Sequence, residues 1–218
     1  MLKSKKHVFW EALFVTVVIF VAGLLFGFAL ESSRLSEINN FYTQSEITLM
    51  DIFAFNNLLE VEKVDCETLT KENINFANRI YEEAKLLSQY EEVEKLTEST
   101  KFAHKRYDLM RTLLWINTIK TEKECGKSIN TIIYLYELET EDLAQKATQN
   151  VWSKILLDLK EKQGNNILLI PIAADNDISS LKTLLEKYPI ERYPVVIINN
   201  KVISELKTAE DLENYLDY

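Results

Sequence analysis

The chain has 218 residues, 47% hydrophobic and 27% charged, a balance that supports one or two folded domains and excludes a disordered polypeptide. Its net charge of −9 excludes the basic face that a nucleic-acid binder needs to neutralise phosphates. Lys3, Lys5 and Lys6 stand against Glu11 in the first thirty residues, so the acidic excess lies wholly beyond them.

The first element is an apolar run, Val8 to Leu30, interrupted only by Glu11 and Thr16. At about 1.5 Å per helical residue it is long enough to cross a hydrocarbon core of about 30 Å. A secretory signal has a shorter apolar region and a small-x-small cleavage site, whereas Phe28-Ala29-Leu30-Glu31 is a poor one, so the run is expected to stay as an anchor. Three lysines precede it, and only Arg34 follows closely, beside Glu31 and Glu37. The positive-inside tendency therefore predicts a cytoplasmic tail at residues 1–7 and everything from Glu31 onward outside. A tail of that size holds no signalling domain, which argues against a receptor. Glu11 sits within a turn of the cytoplasmic end, where an edge charge is tolerated. Gly23 and Gly27 form a GxxxG pattern through which two anchors could approach as a homodimer.

Between Phe28 and Cys125 there is neither glycine nor proline, and the stretch reads as helical throughout. A broad apolar stripe runs from Leu35 to Leu59 and includes Ile38, Phe41, Tyr42, Leu49, Ile52, Phe53, Phe55 and Leu58. A second helix is predicted from about Lys71 to Leu96, capped by Thr70, with Phe76, Ala77, Ile80, Ala84 and Leu87 inward. A third starts after Ser99 and ends near Glu124, with Ala103, Tyr107, Met110, Leu113, Leu114 and Ile116 inward. Short joints at 64–69 and 97–100 imply antiparallel neighbours. The apolar positions are the core of a helical bundle rather than a ligand cavity. His104 has no second His or Cys at ligand spacing and reads as a surface side chain. The charge run Tyr90–Lys95 reads as a solvated face.

Cys66 precedes the second helix and Cys125 follows the third. In an up-down pair these two ends meet, so a structural disulfide is expected in an oxidising compartment. The alternative is a redox-active pair, but the spacing is unlike the Cys-x-x-Cys that lowers a thiol pKa.

Beyond Gly126 glycine, proline and β-branched runs return, and a domain boundary is placed there. Strands are predicted at Asn130–Tyr136, Ile167–Ala173, Val195–Ile198 and Val202–Leu206. Helices are predicted at Glu141–Lys162, Ile178–Tyr188 and Ala209–Leu216, the last capped by Thr208. The first of these turns Leu143, Ala147, Val151, Ile155, Leu156 and Leu159 inward. Asn199-Asn200-Lys201 signals a hairpin.

This β-α-β-α-β-β-α order resembles the thioredoxin fold. The residues that carry the resemblance are the run from Arg192-Tyr193-Pro194 through Val195-Val196-Ile197-Ile198 and Asn199-Asn200-Lys201 to Val202-Ile203. It covers about residues 127–218, and the whole layout is similar to small membrane-anchored thioredoxin-like proteins of archaea. The resemblance implies a cis proline at Pro194 opening the strand before the final hairpin. It also implies a peptide-binding edge around Tyr193 and Pro194. The family's redox Cys-x-x-Cys follows the first strand, and here Thr140 and Leu143 occupy the two cysteine positions. Neither forms a thiolate, so oxidoreductase activity is not carried over.

The expected architecture is thus an α/β thioredoxin-like C-terminal domain, residues 126–218, preceded by a transmembrane helix, residues 8–30, and a helical bundle or stalk, residues 31–125. The expected role is non-catalytic, structural or protein-binding, outside the cytoplasm, with Tyr193, Pro194, Thr140 and Leu143 as the binding edge. No catalytic residue, cofactor or metal is expected, because phosphate-loop, HExxH and GxSxG patterns are missing. Partners are the membrane, through Val8–Leu30, and a protein or peptide, with no nucleic acid. The rival roles are a thiol–disulfide oxidoreductase or isomerase using Cys66 and Cys125, and a chaperone-like polypeptide binder without redox chemistry.

Overall fold

The computed structural model describes residues 5–91, 98–126 and 129–217. The expected tail is outside these up to residue 4, as are residue 97 of the joint at 97–100 and most of the charge run at 90–95, while residues 98–100 of that joint are already helical. The side chains of Leu35, Ile38, Phe41, Tyr42 and Leu87 are also outside the described residues. The chain divides into two compact units, Met1–Phe53 and Ala54–Tyr218.

The first unit is helical. Helix α1 runs from Lys5 to Val61, so the apolar run and the stripe that follows are one helix. Val8–Leu30, with a mean hydropathy of 2.8, is long and apolar enough to cross a membrane, and none of it is buried. The stripe beyond it is narrower than the sequence predicts. Ile52 is buried, whereas Phe53 and Leu58 lie open to solvent.

In the second unit α2, Cys66–Glu91, and α3, Glu98–Cys125, pack against each other. Helix α2 begins earlier than Thr70. Asp65 is its cap, accepting from the Thr68 backbone N–H at 2.9 Å and from the Thr68 hydroxyl at 2.7 Å. Thr70 instead donates its hydroxyl to the Cys66 carbonyl at 2.9 Å, one turn inside the helix. Phe76, Ile80, Ala103, Tyr107, Met110 and Leu114 are buried as expected. Trp115 is buried in place of Ile116, because the indole removes more apolar surface from water. His104 is half-buried and engaged with a neighbour rather than a free surface side chain. Cys66 and Cys125 form a disulfide with Cα atoms 5.6 Å apart.

Four strands make a mixed sheet in the order β2-β1-β3-β4: β1 (Asn130–Tyr136), β2 (Ile167–Ala173), β3 (Val195–Ile198) and β4 (Lys201–Ile203). The β1–β2 pair is parallel, and β3 is antiparallel to both β1 and β4. After Asn130 the residues of β1 are β-branched, aromatic and leucine, which suits a strand with neighbours on both sides. The β3–β4 hairpin turns on Asn199 and Asn200, at φ +48° and +67°, a left-handed pair that asparagine tolerates. Strand β4 ends at Ile203, short of the predicted Leu206.

Helices α4 (Leu143–Gln163) and α6 (Ala209–Glu213) share a core with the sheet. Trp152, Leu156 and Leu159 of α4 meet Ile132, Tyr134, Val196 and Ile198 there, joined by Leu212 of α6. Of the predicted inward face of α4, Leu156 and Leu159 are buried as expected, whereas its N-terminal part faces solvent. Leu143 is 79% and Val151 42% exposed, and Trp152 sets the inward face. Helix α6 carries a full capping box between Thr208 and Asp211 and stops at Glu213 rather than Leu216. Helices α2 and α3 contact β2, and α3 also contacts α5 (Ser179–Leu185), which ends before the predicted Tyr188. The helical pair and the sheet thus belong to one compact unit that runs across Gly126.

Two asparagines lock the start of β1 to the end of the chain. Asn199 donates to the Asn130 side-chain oxygen at 2.9 Å and to the Tyr215 carbonyl at 2.9 Å. Asn130 in turn donates to the Asp217 carbonyl and accepts from the Asp217 N–H, both at 2.9 Å.

The disulfide closes a loop with a sequence separation of 59 residues. In the chain-entropy view such a closure restricts the unfolded ensemble by about 4 kcal/mol. Urea unfolding of the Cys66→Ser, Cys125→Ser variant is expected to show a loss of about that size against the oxidised protein.

Candidate functional site

The β1–β3 register places Val195 opposite Leu135. The Tyr193–Pro194 pair therefore lies beside the end of β1 and the loop that follows, and its peptide bond is cis. Pro194 is buried and Tyr193 half-buried. Burial pushes the Tyr193 hydroxyl above its ordinary pKa, and the carboxylates of Glu137 and Asp175 push it further.

Loop 137–142 is held by side chains rather than by ladder bonds. Asp175, just past β2, accepts from the N–H groups of Leu138 and Glu139, both at 2.9 Å. Gln149 brackets Glu137, accepting from its N–H at 2.9 Å and donating to its carbonyl at 3.0 Å. Gln145 donates to the Glu137 carboxylate at 2.8 Å. The Thr140 hydroxyl is committed within this network, donating to Gln145 Oε1 at 2.8 Å. Asp142 caps α4 by accepting from the N–H groups of Ala144 and Gln145. Thr140 is thus a structural member of the loop, and Leu143 projects to solvent at the first position of α4. The charge of Glu137 in this loop is felt at Tyr193.

A second polar cluster sits at the same end of the sheet, and the sequence reading missed it. Asp108 of α3 is buried. It accepts from the Ala173 N–H at 3.2 Å, from Asn176 at 2.5 Å and from Arg111 at 3.3 Å. Burial raises its pKa, against the opposing pull of Arg111. Tyr136 beside it is pushed up to about 12, first by burial and then by the Asp108 charge. The available signal was an acid next to Tyr107 on a buried helix face with arginine three residues on, a spacing that brings the two side chains together.

Between α4 and the sheet lies a cleft of about 430 Å³, with Tyr134, Tyr136, Leu157, Leu169 and Pro171 on its walls and Glu137 at one end. Tyr134 and Tyr136 stack with ring centroids 5.5 Å apart. The Tyr134 hydroxyl donates to the Gln149 carbonyl at 2.9 Å. Among the described residues no group of three or more His, Cys, Asp or Glu side chains could hold a metal ion.

No family model matches this chain, and no curated protein matches it. A solved structure described as "Structure of a malarial protein" aligns over 40% of this chain and 93% of its own, at 15% identity and a TM-score of 0.32. A likeness of that size carries no argument about fold or role.

Two measurements test the site. Replacing Asp175 with alanine frees the amides of Leu138 and Glu139, and their hydrogen exchange is expected to rise about tenfold or more while the core strands are unaffected. Asp108 has a folded pKa raised above the ordinary 3.8. Its contribution to stability is therefore full below that value and is lost as pH rises through the raised one. Melting curves across this window should show the native protein losing ground to Asp108→Asn as pH rises; a difference that does not change with pH would refute the assignment.

Proposed function

We propose that this chain is a single-pass membrane protein with a cytoplasmic N-terminus, carrying a non-catalytic thioredoxin-like domain outside the membrane in a structural or protein-binding role. The proposed parts are a tail at residues 1–7, an anchor at 8–30, a helical bundle or stalk at 31–125 and the thioredoxin-like domain at 126–218. The carrying observation is the end of β1. Where the family holds its redox cysteines this chain holds Thr140, tied to Gln145, and solvent-exposed Leu143. The element order, the strand order β2-β1-β3-β4 and the cis peptide before Pro194 support the fold reading.

The outside location is supported by the lysines ahead of the anchor and by the Cys66–Cys125 disulfide, which persists in oxidising compartments. Pairing of two anchors through Gly23 and Gly27 is part of the proposal. A groove lined by Phe20, Gly23, Leu24, Gly27 and Phe28 supports it, and the Cβ position of either glycine is open. Tyr193 and Pro194 form the proposed binding edge for a protein or peptide.

The oxidoreductase reading keeps one observation in its favour, namely that Cys66 is exposed. Labelling of sealed native membranes with an impermeant maleimide separates the readings. The expected result is no labelling until strong reductant is added, then labelling of Cys66 and Cys125 from the outer side. Free thiols reached only after permeabilisation would overturn the orientation, and turnover of a disulfide substrate that Cys66→Ser abolishes would make the chain an enzyme.

A further inference from the structure

The outer edge of β2 offers a short docking rail beside the cleft. The Ala174 N–H donates to the Tyr136 carbonyl at 2.7 Å, so the backbone groups of Ala174 face β1. Alternation along the strand turns those of Ala173, Pro171, Leu169 and Ile167 the other way, to the edge. Three of these four are blunted. The Ala173 N–H is taken by Asp108, the Ile167 carbonyl accepts from Lys160 at 2.8 Å, and Pro171 has no N–H. Between these two blunted ends, the N–H and carbonyl of Leu169 and the carbonyl of Pro171 have no hydrogen-bond partner among the described residues.

An antiparallel segment satisfies these three groups with one residue that exchanges both bonds with Leu169 and another, two positions earlier, that donates to Pro171. Side chains directly opposite in a pair share a face. Leu169 and Pro171 line the cleft, so both incoming side chains enter it. The wall beside Leu169 is apolar, with Leu157 51% exposed. The end beyond Pro171 is different. It holds the stacked Tyr134–Tyr136 pair and then Glu137, whose carboxylate accepts from the neutral amide of Gln145 and from no cation among the described residues. An aliphatic stem ending in a planar cation suits that end. The stem covers Pro171, the plane lies along the tyrosine rings, and the charge answers Glu137.

We infer that the β2 edge and its cleft bind an extended polypeptide of the pattern Arg-x-apolar from another protein, by strand addition at Leu169 and Pro171 with the arginine directed toward Tyr136 and Glu137. The site lies on the opposite side of β1 from the Pro194 edge, and the inference goes beyond the binding edge proposed above. It stands whichever side of the membrane the domain occupies.

The test uses the full chain in lipid nanodiscs and a fluorescent pentapeptide, Thr-Arg-Thr-Leu-Thr, followed by anisotropy. Saturable binding is expected, weakened about tenfold when the arginine is replaced by citrulline. Glu137→Gln keeps an acceptor for Gln145 and is expected to bind the two peptides equally. A photo-crosslinker at the leucine position should attach near Leu157 and Leu169. A lack of saturable binding, or equal binding of the arginine and citrulline peptides by the native protein, would overturn the inference. Cross-links confined to Tyr193 and Pro194 would also overturn it while upholding the binding edge proposed there. An unchanged melting temperature for Glu137→Gln shows that a lost preference is not a lost fold.

Discussion

Strand β1 is the constraint on which the second unit depends. It has a strand on each side, and Ile132, Ile133, Tyr134 and Leu135 are all buried, so both of its faces must be covered. Helices α4 and α6 cover one face through Trp152, Leu156 and Leu212. On the helical-pair side, α2 and α3 contact the neighbouring strand, and Asp108 accepts from the backbone of Ala173. The two ends of β1 are then secured by polar means. Asn130 and Asn199 clasp the C-terminal residues at its start, and Gln149 and Asp175 hold the loop at its finish. Apolar burial supplies the driving force, while these hydrogen bonds decide which chain segment lies where.

The strand bounds Asn130–Tyr136, Ile167–Ala173 and Val195–Ile198 were legible because short β-branched runs between breakers have few other solutions. The Asn-Asn hairpin and the Thr208 cap were legible for a similar reason, since each residue type does locally what its side chain favours. Helix faces were harder. In α4 the predicted face holds at Leu156 and Leu159, but at its N-terminal end Leu143 and Val151 give way to Trp152, a choice that spacing alone does not rank. The larger area of the tryptophan decides, and a positional pattern gives that no weight. The start of α2 was misplaced because threonine and aspartate both cap well, and the choice between Asp65 and Thr70 depends on where α1 stops.

The candidate site was half legible. Tyr193 and Pro194 stand out because proline ahead of a buried strand is unusual. The pairing of Cys66 with Cys125 followed from helix direction. Asp108, Gln145, Gln149 and Asp175 were not legible, because each acts across a gap in sequence that only the folded sheet closes. Asp108 is 65 residues from Ala173. A buried acid is unremarkable in a list of residues and becomes informative once its donors are in place.

The disulfide also governs how the chain answers a pulling force. Tension applied to the chain on either side of the link passes between Cys66 and Cys125 through a Cα separation of 5.6 Å. The segment inside the loop, which contains α2 and α3, is bypassed. With a sequence separation of 59 residues, about 200 Å of contour length is withheld from extension. Force can peel the sheet, but it cannot draw out the helical pair while the link stands. The cysteines thus make the helical pair mechanically silent.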